Sequence, residues 1–331
     1  MKKALFLALS LAFLLTACGE TTPPDTSEPN PVDNTQETSL PESCLLYYDL
    51  GNVSILAEDK SLPLAQNAGD GYQTSYSVWY DGEYQDLALQ DGDSGISVAD
   101  MTGGSAVFDY GAGLVVWNGE RYHCAHLTAQ DSYIPNISPN IPGGILLLEI
   151  SGDCWADGGV SDVACFTGFG TVVICGSGTL RIDGAGIGVG GGNLPYLPGL
   201  ILDGVSFSSG AIFLNERSYS GAPALFVRSG SLETDTLVLS GDLCIAGGSG
   251  TVQYLDGVEN AVFRGGSFEV NQWGDTVIPQ LILSGGNATC TDWLPQGTSI
   301  EVGAGTMTAN GIRYWDTVHV YDGGEIVDLM D

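Results

Sequence analysis

Asp91-Gly92-Asp93-Ser94 sets two carboxylates on one turn, and Asp153, Asp157 and Asp162 crowd a single stretch further on. Carboxylate oxygens at such spacing suit a hard cation. Calcium is the one cofactor the charge makes plausible, with Asp91 and Asp93 as candidate ligands, although the full pattern of alternate aspartates closing on a glutamate is absent and the plainer reading of each pair is solvated turn acids. A second kind of chemistry, the stacking of a pyranose face on a π surface, needs exposed aromatics. The densest group is Tyr72, Tyr76, Trp79, Tyr80 and Tyr84. Ser77-Val78-Trp79-Tyr80, the turn Asp81-Gly82 and Glu83-Tyr84-Gln85 read as a two-residue hairpin with Trp79 opposite Tyr84. Trp79, Tyr80 and Tyr84 are the candidate carbohydrate-binding residues. The plainer reading of the same pair is a cap over one end of the fold.

Catalytic chemistry finds less support. A polygalacturonase-like site needs clustered aspartates beside Gly-His-Gly and Arg-x-Lys, whereas His123, His126 and His319 stand between other residues and Lys60 is the one lysine after Lys3. The candidates for a lyase base are Arg181, Arg217, Arg228 and Arg264. Arg181 alternates with Leu180 and Ile182, so it points outward on the face of Asp183, where an ion pair is the ordinary role for it. Gly186-x-Gly188-x-x-Gly191 spells a dinucleotide fingerprint, but Asn193-Leu194-Pro195-Tyr196-Leu197-Pro198 cannot form the helix that would hold the phosphate. No two cysteines are spaced Cys-x-x-Cys, which removes the usual zinc and redox signatures. Cys154, Cys165, Cys175 and Cys244 lie in strand-like runs, where a buried thiol acts as a small apolar group.

Residues 1–17 carry a basic start and an apolar run from Ala4 to Leu15, the form of a signal peptide. Leu15-Thr16-Ala17-Cys18 resembles a bacterial lipobox, which implies cleavage before Cys18 and lipid on its sulfur. Residues 18–43 hold five prolines and almost no apolar side chains, a tether that cannot bury enough surface to fold. The expected location is extracytoplasmic, lipid-anchored to a bacterial cell membrane and exposed at the cell surface. Forty acidic residues face nine basic ones, a net charge of −31. Such a surface cannot neutralise phosphates, so nucleic acid is not an expected partner.

These residues must be positioned by residues 44–331, and the texture there is uniform. Short runs of Val, Ile, Leu, Thr and Tyr are broken by Gly, Asp, Ser and Asn, and no window carries a helical apolar stripe. Glycine, at 48 of 331 residues, is about twice its usual frequency. Turns of the form apolar-x-Gly at Gly152, Gly176, Gly204, Gly257 and Gly285, with Arg228-Ser229-Gly230 taking the place of one, fall at intervals of 24 to 28, and Leu202-Asp203-Gly204-Val205 recurs as Leu255-Asp256-Gly257-Val258. A period in the twenties predicts an all-β solenoid, a single-stranded right-handed parallel β-helix in which equivalent residues stack, Leu202 and Leu255 two coils apart on one face.

Residues 145–192, above all Val172-Val173-Ile174-Cys175-Gly176-Ser177-Gly178-Thr179-Leu180-Arg181-Ile182, resemble coils of the bacterial carbohydrate-binding β-helix lipoproteins of the pectate-lyase-like superfamily. The resemblance implies glycan binding, calcium in support of it, and no catalytic residues to carry over. The expected function is non-catalytic binding of polysaccharide, from plant cell walls or another extracellular source, by a monomer. An anionic glycan would need bridging calcium. A β-helix polysaccharide lyase or hydrolase and a surface adhesin or scaffold contacting protein are the alternatives.

Overall fold

Alternation of apolar and small polar residues at period two, with glycine between runs, gives strands rather than helices, and the computed structural model of the protein shows 24 of them among its described residues. It describes residues 39–41, 48, 50–55, 75–80, 83–88, 96–99, 104–139, 143–158, 165–189, 197–214 and 222–329; for 54–55, 75–80, 83–88, 96–99, 105, 108–112 and 313 the backbone alone is described. The signal peptide, Cys18 and most of the tether lie outside these residues, as do Asp91 and Asp93. The described residues belong to one compact unit, Pro31–Asp331. Among the described residues the one helical element is a single 3-10 turn, Ile312–Tyr314.

From residue 125 onward the strands pair in parallel and build three ladders. The first joins Glu120–Gln130, Ile145–Ser151, Thr171–Gly176, Leu200–Asp203 and Leu225–Val227, then the far ends of Ser231–Ile245 and Ser249–Phe263, then Ile278–Leu283, Gly297–Val302 and Thr317–Val320. The second begins at Asp153–Asp157 and Thr179–Val189 and runs to Gly305–Asn310 and Gly324–Asp328. The third stacks Ile137, Phe166, Ile187, Ile212, Leu237, Leu255 and Trp273. Ser231–Ile245 contributes to all three in turn, bending at Gly241, so one turn of chain visits each ladder once. This all-β, largely parallel arrangement is compatible with the solenoid expectation.

The three ladders enclose one core. Leu148, Ile174, Leu202, Val227, Ile245, Phe263, Leu283 and Val302 form a continuous inner column of the first ladder, each fully or almost fully buried. The corner between the first and second ladders carries a column of glycines with positive φ: Gly230, Gly248, Gly266, Gly286 and Gly305. Each step leaves room for a carbonyl. A Cβ on Gly266 would meet the oxygen of Gly248, and one on Gly286 that of Gly266. The same carbonyls accept from the next rung, Ser249 N from Gly230 O at 2.9 Å and Ser267 N from Gly248 O at 2.9 Å.

That column corrects the expected repeat. Its steps are 18, 18, 20 and 19 residues, so from Gly230 onward the rung is about eighteen to twenty residues, against steps of 26, 27 and 25 along Asp153, Thr179, Ser206 and Ser231. The longer early spacings include residues 190–196 and 215–221, between the third and first ladders. Leu202 and Leu255 do not share a face. Leu202 pairs with Ile174 and Val227 in the first ladder, whereas Leu255 pairs with Leu237 and Trp273 in the third. The two Leu-Asp-Gly-Val segments turn different corners, because the same turn chemistry serves both.

Before residue 120 the pairing is antiparallel, another departure from a uniform parallel domain. Ser105–Trp117 pairs with both Leu50–Ile55 and Glu120–Gln130. Ser75–Tyr80 and Glu83–Ala88 form the expected hairpin with Trp79 opposite Tyr84, and its first strand pairs with Asn136–Pro139 at the start of the third ladder. Antiparallel strands thus cover two strand edges that would otherwise be unpaired templates at this end of the stack.

Candidate functional site

The outer sides of the first and second ladders differ in kind. On the first, alternate residues build the column His126, Leu147, Val173, Ile201, Phe226, Cys244, Val262, Ile282, Glu301, His319. Its apolar middle is buried a second time beneath Tyr48, Leu50, Val115, Trp117 and Leu197, with Leu40 packed at the margin. Burial on both faces explains why these strands read as unbroken apolar runs, Ile145-Leu146-Leu147-Leu148 among them. Trp117 meets Phe226 edge to face at 5.0 Å and stacks with Tyr48 at 6.1 Å. Tyr48 donates its hydroxyl to Asp242 Oδ2 at 2.7 Å, and Arg264 Nη1 donates to the Tyr48 carbonyl at 2.9 Å. This face is occupied by the protein itself.

Each end of that column carries a histidine beside a carboxylate. His126, 3% exposed, has Nε2 at 3.1 Å from Glu149 Oε2 and 3.3 Å from Thr128 Oγ1. Glu301, also buried, accepts from Tyr321 Oη at 2.7 Å and lies 3.3 Å from His319 Nδ1. These contacts satisfy polar groups where the apolar column stops.

The second ladder leaves its outer side open. One column runs Asp153, Thr179, Ser206, Ser231, Ser249, Ser267, Asn287, Thr306, Glu325, and the next runs Trp155, Arg181, Ser208, Glu233, Thr251, Glu269, Thr289, Thr308, Val327. Ser206 Oγ and Ser231 Oγ are 2.8 Å apart. Arg181 Nε pairs with Asp183 Oδ1 at 3.1 Å, both well exposed, the ion pair expected from their alternation. A third line links Asn271 to Gln253, Thr291 Oγ1 to Asn271 Oδ1 at 3.0 Å and Asn310 Nδ2 to the Thr291 carbonyl at 3.2 Å. The side is a pleated sheet of hydroxyls, amides and scattered carboxylates, repeated at the strand spacing of about 4.8 Å.

At one margin of this side stand Trp293 and Tyr314, 50% and 47% exposed, with ring centroids 5.7 Å apart and planes tilted by 41°. Trp117 and Trp315 are buried and Trp273 packs on the core. Gly311, at φ 84°, makes room for the Trp293 ring: a Cβ there would come within 2.6 Å of Trp293 Cε3. Tyr314 sits at the end of the 3-10 turn, whose Ile312 is buried, as is the following Trp315.

Against these placements, the hairpin of Trp79, Tyr80 and Tyr84 belongs to the opposite, N-terminal part of the stack. Among the described residues no three His, Cys, Asp or Glu side chains converge as metal ligands would. No described cysteine forms a disulfide; five are buried and Cys175 is half-buried. Burial pushes Cys175, Cys244 and Cys290 up to about 12 and holds Cys124 and Cys165 well above the usual thiol range. Such thiols lack the thiolate character of a nucleophile. The sequence marks Trp293 only as one of several scattered tryptophans. The signal missed was Asn310-Gly311, a turn whose glycine opens space beside an aromatic on the neighbouring rung. Among the described residues no helix is long and apolar enough to cross a membrane. The chain matches no protein-family model, no curated protein and no solved structure.

Proposed function

We propose that the protein is an extracytoplasmic, lipid-anchored polysaccharide-binding protein, monomeric and non-catalytic, and that its three ladders are the faces of a right-handed parallel β-helix. The hand follows from the strong preference of parallel crossovers. The observation that carries the binding reading is the open outer side of the second ladder. It offers exposed hydroxyl and amide groups in register over successive rungs, with an aromatic pair at its margin. A polymer of sugars is the ligand whose own repeat can use such a surface, through many weak contacts that add by multivalency. The non-catalytic reading is supported by His126 being buried and Arg181 being paired to a carboxylate on its own strand.

A glycan array probed with the purified protein, with and without chelator, tests the reading. Ser249→Lys and Ser267→Lys, which place long cations on the open side, should weaken binding, while Glu259→Lys at an exposed position beyond the second ladder should not. If no polysaccharide is retained, the binding reading fails and a surface scaffold contacting protein takes its place. Anchoring is tested separately: Cys18→Ala should leave the precursor unprocessed or release a soluble form.

A further inference from the structure

Leaving a tryptophan half in water forgoes burial that the fold achieves for Trp117 and Trp315, and an exposed aromatic fixed in place is a common mark of a ligand surface. Trp293 and Tyr314 are the only aromatics among the exposed large apolar side chains of the described residues. Both are seated on the fold, Trp293 over Gly311 and Tyr314 on a turn whose Ile312 and following Trp315 are buried. Exposed carboxylates adjoin them in the chain: Asp292 precedes Trp293, and Asp316 follows Trp315. The amide and hydroxyl line from Gln253 to Asn310 leads up to the pair.

We infer that Trp293 and Tyr314 form the subsite that grips one uncharged pyranose unit, and that this grip needs no divalent cation. The inference rests on the polysaccharide-binding reading and narrows it. A pyranose presents an apolar C–H face, which two rings tilted by 41° can cradle, and a rim of hydroxyls, which donate well to carboxylates and amides. A uronate would instead bring its own carboxylate toward Asp292 and Asp316 on a chain of net charge −31. Within a Debye length of about 8 Å that repulsion is only partly screened. A bridging cation would relieve it, yet the described residues hold no cluster of ligands for one. The rings cover too little surface for a protein interface but suit a single sugar.

Affinity electrophoresis of the purified protein through β-glucan, xylan, glucomannan and polygalacturonate, each with calcium and with EDTA, tests this. Retardation by at least one neutral polymer, unchanged by EDTA, is expected. Trp293→Ala and Tyr314→Ala should each weaken that retardation about tenfold, the equivalent of a stacking contact of about 1.4 kcal/mol, with Trp293→Phe restoring part of it. The thermal transition of each variant should match the parent, since both rings are half exposed. Retardation by polygalacturonate alone, with calcium or with EDTA, overturns the neutral class while leaving glycan binding intact. Neutral-polymer binding unmoved by both alanine variants overturns the site. Absence of retardation on every polymer overturns the binding reading and this inference together.

Discussion

The described cysteines behave as core residues, and their chemistry follows from that. A thiol whose folded pKa is raised from near 9 to about 12 favours the protonated form in the folded state. Its contribution to stability is therefore complete below pH about 8.5 and is lost as pH rises toward 12, because the unfolded chain can ionise first. Resistance to urea should stay level between pH 6 and 8 and decline steadily above pH 9. Reaction with a thiol reagent at pH 8 should be slow for these cysteines in the native protein and complete after unfolding. Rapid native labelling of Cys244 would contradict its burial.

Between residue and fold stands the glycine corner, where close backbone approach decides what is tolerated. Gly266→Ala demands a left-handed alanine, costing roughly 1–2 kcal/mol, and pushes its methyl onto the Gly248 carbonyl, so the neighbouring rungs must part. Gly119 has a similar φ of 81° but nothing within 4 Å of its added Cβ, so Gly119→Ala should cost only the conformational share. Denaturant melts of the two variants should differ by more than 1 kcal/mol in that order. All-β texture, glycine turns and the Trp79–Tyr84 hairpin were legible in the sequence because they depend on neighbours along the chain. The rung length was not. Leu202-Asp203-Gly204 and Leu255-Asp256-Gly257 turn different corners, and residues 190–196 and 215–221 stretch the early spacings. The Trp293–Tyr314 pair was hidden for a related reason: twenty residues and one rung separate the rings, so only the true period brings them together.

Taken whole, the described stack is a series of rungs in which each ladder strand pairs mainly with the rungs before and after it, an arrangement whose stability is approximately a sum of nearest-neighbour terms. Leu40, Tyr48 and the strand ending at Trp117 break that locality, since Leu40 packs at Gly303, Tyr48 bonds to Asp242 and Arg264, and Trp117 packs on Phe226. Trp117→Ala should cost roughly 3–5 kcal/mol and, by loosening the cover, expose the outer apolar column to a fluorescent hydrophobic dye. Unchanged dye binding in that variant would mean that the cover does not depend on Trp117. The same cover sets how the protein bears a pull. A pull applied at Ser39 would meet Leu40 and Tyr48, whose contacts at Gly303, Asp242 and Arg264 lie on different rungs, before it reached the parallel ladders. A fold built of separable layers is thereby fastened like a spine with a splint, and the splint is the part of the chain that takes the strain first.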